Sequence, residues 1–103
     1  MKSLGERIRD LRVSGGLLLR EVAAELRIDP SLLSRIERGE KSPTRDQVLS
    51  LARLLRADES ELLATYLSDK VLYELQGEKL AMRAIQIAEK RIAYEKSAKK
   101  RRR

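Results

Sequence analysis

The sequence predicts an all-α protein, with a five-helix domain followed by a C-terminal helical extension. Apolar residues recur at spacings of three and four along the chain, as on one face of a helix. No segment alternates apolar and polar residues over a useful length, so no strand is expected. The 103 residues suffice for one small domain with a modest core and an appendage.

Capping residues and glycines set the limits of the first three predicted helices. The first helix begins at a capping box, Ser3 with Glu6, and ends at the glycine pair Gly15 and Gly16. The third begins at Asp29 and Pro30 and ends at Gly39. The second helix lies between them, over about residues 18–26. Its apolar positions, like those of its neighbours, face one side.

Two further helices complete the predicted domain, which we place at residues 1–67. Each begins with a capping pair: Thr44 with Gln47, and Asp58 with Glu61. Their inward faces are apolar and comprise Val48, Leu51, Ala52 and Leu55, then Leu62, Leu63 and Tyr66. These residues and those of the first three helices are the expected core.

The helical pattern continues through residues 68–95, with a break at Gly77. The last predicted helix, about residues 78–94, carries two apolar stripes: Ala81, Ile85, Ala88 and Ile92, and beside them Leu80, Ala84, Ile87 and Tyr94. A helix apolar over so wide an arc needs a partner on more than one side. One stripe can dock on its own chain near Leu72 and Leu75, and the other can meet a second copy. We therefore expect residues 68–95 to form a homodimer, through Ile85, Ile87 and Ile92.

The chain ends in a basic tail, residues 96–103, which is expected to be flexible because it has no apolar residue larger than Ala98. Residues 1–66 carry a net charge of +1 and residues 67–103 carry +6, which together give the formal +7. Such a charge favours nucleic acid, acidic lipid or acidic protein as a partner. The tail is compatible with a DNA-backbone arm, an RNA or lipid contact, or a solubilising end.

The composition argues against an enzyme. The chain has no cysteine and no histidine, so it lacks thiolate chemistry, the commonest general base and the commonest metal ligand. We expect no metal, no cofactor and no small-molecule substrate. The N-terminus lacks the apolar run of a signal peptide, and no stretch approaches the roughly 20 apolar residues of a membrane span. A cytoplasmic location without membrane association is expected.

The short connection between the second and third helices carries the functional prediction. Only Arg27, Ile28 and Asp29 join them, and such a tight turn is the helix-turn-helix connection. The two helices must cross closely, and Ala23 supplies the small residue that the crossing needs. The required inward apolar residues are Val22, Leu26, Ile28, Leu33 and Ile36.

The stretch LREVAAELRIDPSLLSRIERGEKSP, residues 19–43, resembles the DNA-binding core of the Xre family, the helix-turn-helix type of the phage Cro and repressor proteins. The family's Ser-x-Ile-Glu-x-Gly run stands here at residues 34–39, and the resemblance covers about residues 3–66. It implies a Cro/repressor-like fold and a bacterial-type transcriptional regulator. Such a protein is expected to act as a homodimeric repressor on palindromic double-stranded DNA.

The resemblance also implies which residues contact DNA, because the third helix of this motif, residues 30–38, lies in the major groove. The family's base-reading positions fall on Pro30, Ser31, Ser34 and Arg35. Pro30 cannot donate a hydrogen bond, so Ser31 and Arg35 are the main candidates, and Arg35 can bind guanine O6 and N7. The positions that contact the DNA backbone fall on Arg38, Lys41 and Ser42. The resemblance further implies a structural Arg12–Glu37 pair.

The chain departs from the family pattern at three places. Leu18 and Leu19 stand where Thr or Ser followed by Gln usually begins the second helix. Arg27 takes the turn position usually held by Gly, at a cost of roughly 1 kcal/mol if the backbone is left-handed there. Leu32 takes a position often held by Thr or Ser, where it can meet a thymine methyl or pack on the fourth helix.

An alternative reading is an antitoxin- or coactivator-like adaptor that binds a partner protein through its C-terminal helices. A regulator should shift DNA that contains an inverted repeat, whereas an adaptor should co-purify with another protein and show little sequence preference.

Overall fold

The computed structural model of the chain describes residues 2–101, with the backbone alone at residue 101, and over this range it contains six α-helices and no strand. The helices are α1 Leu4–Ser14, α2 Leu19–Leu26, α3 Pro30–Glu37, α4 Arg45–Leu54, α5 Glu59–Glu74 and α6 Ala81–Arg101. The predicted all-α class is confirmed. The predicted count differs, because the fifth helix and the helical segment after it form a single helix, α5.

The length of α5 has a simple cause. Neither glycine nor proline occurs between residues 59 and 74, so nothing interrupts the helix at Ser68. The first residue with a left-handed backbone beyond it is Gly77, with φ of 79°. The predicted domain limit at residue 67 therefore falls inside α5. The chain divides into two compact units, Met1–Val71 and Leu72–Arg103.

The first unit contains the core. Its buried apolar residues are Leu4, Ile8, Val22, Ala23, Leu33, Ile36, Val48, Leu51, Ala52, Leu55, Leu62 and Tyr66. All of them fall on the inward faces that the helical spacing predicts. Burying a Leu or Ile side chain fully is worth about 1.5–3 kcal/mol, so this cluster is the main source of stability for the unit.

Side-chain caps begin most of its helices. Ser3 and Glu6 form a reciprocal capping box at α1. Thr44 and Gln47 do so at α4, where each backbone N–H donates to the other residue's side chain at 2.9 and 3.2 Å. Such a cap is worth about 1 kcal/mol. α2 has only half of one, because Glu21 accepts from the Leu18 N–H at 2.8 Å but Leu18 offers no acceptor in return.

The second unit contains the end of α5, the turn at Gly77 and α6. Large apolar side chains of this unit are exposed: Leu72, Tyr73, Leu80, Met82, Ile87, Ile92 and Tyr94. Of the predicted dimer residues, Ile87 is 50% and Ile92 57% exposed, whereas Ile85 is half-buried. Among the described residues, no helix is long and apolar enough to cross a membrane.

The last helix starts later and ends later than its apolar pattern predicts. It runs over Ala81–Arg101 rather than about 78–94, so the first part of the predicted tail, residues 96–101, is helical. Lysine and arginine have high helix propensity, which allows the helix to continue without an apolar face. Residues 102 and 103 lie outside the described residues, and the flexibility of the tail stays a prediction.

Candidate nucleic-acid interface

The turn between α2 and α3 is built around a left-handed arginine. Arg27 has φ of 57° and ψ of 42°, as expected for the family's glycine position. The Ile28 N–H donates to the Ala23 carbonyl at 3.0 Å, which closes the end of α2. Ala23 itself is fully buried, as the close crossing of two helices requires. The turn therefore keeps its geometry at the cost of strain at Arg27.

Asp29 fixes the start of α3. Its carboxylate accepts a hydrogen bond from the Ser31 N–H at 2.8 Å and another from the Ser31 hydroxyl at 2.6 Å. These two bonds, the hydroxyl's first, lower the pKa of Asp29 below its usual value. The folded pKa is thus below the unfolded one. The cap stabilises α3 above about pH 4, and this contribution is lost as the pH falls through the folded pKa.

The side chains of α3 divide between the core and the surface. Leu33 and Ile36 are 0% and 2% exposed. On the other side, Ser31 and Arg35 are exposed four residues apart, one above the other on the helix. Leu32 stands where the family often has Thr or Ser. It is partly buried and packs against the core, so core packing accounts for a leucine at this position.

The predicted backbone contacts follow the end of α3. Arg38, the C-cap residue, is exposed and its Nε donates to Glu40 Oε2 at 2.6 Å. Lys41 is exposed, and the Ser42 hydroxyl donates to the Pro43 carbonyl at a long 3.4 Å. Glu40 was not identified from the sequence. Its only signal was an acidic residue between two candidate phosphate-binding cations.

An ion pair ties the end of α3 to α1. Arg12 Nε donates to Glu37 Oε2 at 2.7 Å and Nη2 donates to Oε1 at 3.0 Å, while Nη1 donates to the Leu17 carbonyl at 3.0 Å. The side chains are only 13% and 6% exposed. Donation of these hydrogen bonds to the Glu37 carboxylate is the main reason that the pKa of Arg12 is raised, which keeps the guanidinium charged. The predicted structural Arg12–Glu37 pair is confirmed.

Gly5, which no sequence motif identified, allows α1 to approach α3 closely. A Cβ atom at this position would lie 2.5 Å from the carbonyl oxygens of both Ile36 and Glu37. Only glycine therefore fits between the two backbones. The available signal was a glycine inside the apolar pattern of a helix, where it costs about 1 kcal/mol relative to alanine and needs a reason.

A groove of about 660 Å³ lies between α1, α3 and the start of α2. Its lining includes Arg9, Leu19, Ser34 and Arg38. Ser34 is half-buried there, beside the Arg12–Glu37 pair. The structure thus brings Ser34 and Arg38 to one groove and leaves Arg35 outside its lining. Over the described residues, no group of three or more acidic side chains is placed to hold a metal ion.

Two short helices, α2 and α3, cross closely and are joined by a three-residue turn, and the second presents exposed polar side chains. This arrangement defines a helix-turn-helix protein. The chain belongs to the helix-turn-helix domain family, which it matches over residues 3–64. No curated protein matches the sequence.

Two crystal structures of the clp gene regulator ClgR from Corynebacterium glutamicum are similar to the chain. One is 32% identical, with 64% of this chain and 86% of that chain covered and a TM-score of 0.55. The other is 28% identical, with 86% and 84% covered and a TM-score of 0.56. The family and these two likenesses support a DNA-binding regulator.

Proposed function

We propose that the chain is a sequence-specific transcriptional regulator of the Xre type that binds palindromic double-stranded DNA as a homodimer and acts as a repressor. The observation that carries this proposal is the division of α3. Leu33 and Ile36 hold it on the core while Ser31 and Arg35 are exposed on the other side. A helix held this way can enter the major groove and present its N-terminal residues to base edges.

Base reading is assigned to Arg35, Ser31 and Ser34. Arg35 has the planar fork that fits guanine O6 and N7, and each such pair discriminates by about 1–3 kcal/mol. The Ser31 hydroxyl donates a hydrogen bond to Asp29, so towards DNA it is available chiefly as an acceptor. The matching donor on DNA is a base amino group. Ser34 lines the groove between α1 and α3 and is the least exposed of the three.

The DNA backbone is assigned to Arg38, Lys41 and Ser42. They follow the end of α3 in the chain and their side chains are exposed, which suits contacts with phosphate oxygens. Arg38 must exchange Glu40 for phosphate when it binds. Because both members of that pair are more than half exposed, at 61% and 53%, the exchange costs little.

The homodimer is assigned to α6, through Ile85, Ile87 and Ile92. Two recognition helices must stand about 34–36 Å apart to enter successive turns of DNA, so two copies must be held together. Exposed Ile87 and Ile92 supply apolar surface for this contact. A dimer that covers two half-sites occludes the DNA beneath it, which is the basis of the proposed repression.

The test is a gel-shift titration of the purified chain against DNA with an inverted repeat from the promoter of its own gene, with a shuffled duplex as control. A reporter driven by that promoter should fall in activity when the chain is expressed. Equal affinity for both duplexes contradicts sequence-specific regulation. Co-purification with another protein, combined with that lack of preference, indicates the adaptor instead, and a rise in reporter activity overturns repression alone.

A further inference from the structure

We infer that the α6 helices of two copies pair in antiparallel orientation along one stripe, Ala81, Ile85, Ala88 and Ile92, which we call the α6 seam. The inference rests on the proposed homodimer and specifies which face of α6 pairs and in which direction. It keeps Ile85 and Ile92 in the contact and places Ile87 outside it. The occupant of this face is a second copy of the chain.

The sizes of the seam residues alternate, and this favours the antiparallel direction. In a parallel pair each seam position faces itself, so Ala88 meets Ala88 and leaves a gap between two layers of Ile. In an antiparallel pair with its two-fold axis between residues 86 and 87, Ile85 of one copy faces Ala88 of the other. By the same symmetry Ile92 faces Ala81. Every large side chain then meets a small one, which fills the interface without voids.

The charges that flank the seam favour the same direction. A parallel pair places Arg91 of one helix beside Lys96 of the other, where two like charges repel. An antiparallel pair places Arg91 beside Ala84 and Glu89 beside Met82 instead. Neither of these contacts brings like charges together.

The burial of the seam residues fits a two-fold contact. Ala88 and Ile92 are exposed, whereas Ala81 and Ile85 are half-buried. Antiparallel pairing lays the exposed half of each seam on the half-buried half of the other. The contact is then self-complementary, as a closed dimer requires.

The neighbouring stripe is less suited to close helix pairing. It comprises Leu80, Ala84, Ile87 and Tyr94, and Arg91 occupies the heptad step between the last two. A charged side chain at that step would be buried without a partner, which is costly. The α6 seam has no such interruption from Ala81 to Ile92.

Cysteine cross-linking can read the direction, because the chain has no cysteine of its own. The variants are Ala81→Cys and Ile92→Cys, with Lys90→Cys on the opposite side of α6 as the control. In the antiparallel pair residue 81 lies beside residue 92 of the second copy, but two copies of residue 81 are about 16 Å apart along the helix at 1.5 Å per residue. A disulfide needs Cα atoms within about 7 Å.

Each variant alone, and the two mixed in equal amounts, is equilibrated with a glutathione redox buffer and run on a non-reducing gel. The inference predicts a covalent dimer that is at least tenfold more abundant in the mixture than in either variant alone or in the control. The Met82→Cys and Glu89→Cys mixture is a second pair, should loss of Ile92 weaken the dimer. It should cross-link far more than Met82→Cys alone, because two copies of residue 82 lie about 14 Å apart along the helix at 1.5 Å per residue.

The failures are distinguishable. Covalent dimers of Ala81→Cys alone overturn the antiparallel direction and leave the homodimer standing. Cross-linking of the Lys90→Cys control as strong as that of the mixture overturns the seam. The remaining case is the absence of cross-linking in every sample, which overturns the seam. Light scattering of the unmodified chain then tests the dimer itself, because a monomer at tens of micromolar, free and on DNA, overturns the proposed homodimer as well.

Discussion

Breaking the Arg12–Glu37 pair on one side is the sharpest test of how α3 is held. Glu37→Gln keeps the shape of the side chain and one acceptor but removes the charge that faces a guanidinium with only 13% exposure. Removing one partner of a buried pair costs about 3–5 kcal/mol, because the other charge stays buried without compensation. Since Gln keeps one hydrogen bond, we expect about 3 kcal/mol. That is a large share of the roughly 5–15 kcal/mol available to a small domain.

The matched control is Glu59→Gln, which removes the same charge from an exposed pair. Arg53 and Glu59 lie 3.1 Å apart with side chains 71% and 48% exposed, so the expected loss is below about 1 kcal/mol. The assay is urea unfolding followed by far-ultraviolet circular dichroism. A loss for Glu37→Gln that is no larger than that of the control would refute the reasoning. The double variant Arg12→Met/Glu37→Leu should recover most of the stability, because an apolar pair can replace a buried ion pair at little cost.

Three further predictions concern the turn, the helix crossing and the DNA backbone. Arg27→Gly should raise the free energy of unfolding by about 0.5–1 kcal/mol, because glycine removes the left-handed strain, and Arg56→Gly, with φ of 55°, should do the same; a loss of stability in urea at both sites would contradict this. Gly5→Ala should lower stability by about 1–3 kcal/mol through overpacking, and an unchanged urea midpoint would contradict the close crossing. Glu40→Gln should tighten DNA binding by about 0.5–1 kcal/mol, measured by fluorescence anisotropy, since it frees Arg38; an unchanged Kd would argue against that phosphate contact.

The core and the start of each helix in the first unit were predictable because their signals are local. Helical spacing predicted inward residues such as Leu33 and Leu51, and the Asp29-Pro30 pair predicted the start of α3. Arg27 adopts the left-handed backbone that its place at a family glycine position had left open. Each of these depends on neighbours within a few residues along the chain.

The features that were missed depend on contacts between elements or on the absence of a break. The role of Gly5 depends on the backbone carbonyls of Ile36 and Glu37, more than thirty residues away in the sequence. The Glu40–Arg38 contact depends on the chain reversal after Gly39, which has φ of 76°. The union of the fifth helix with the following segment follows from the lack of any glycine or proline up to Gly77, whereas the resemblance ends at about residue 66, inside this helix.

Selection of bound sequences from a pool of random double-stranded DNA, performed with the wild-type chain, Arg35→Ala and the control Arg53→Ala, tests the central claim most directly. The account predicts an inverted repeat for the wild-type chain and for Arg53→Ala. It predicts the same repeat for Arg35→Ala with the preference relaxed at one position in each half-site, and an affinity loss of about 1–3 kcal/mol. An unchanged consensus for Arg35→Ala would show that Arg35 does not read a base, and no consensus for the wild-type chain would contradict sequence-specific binding altogether.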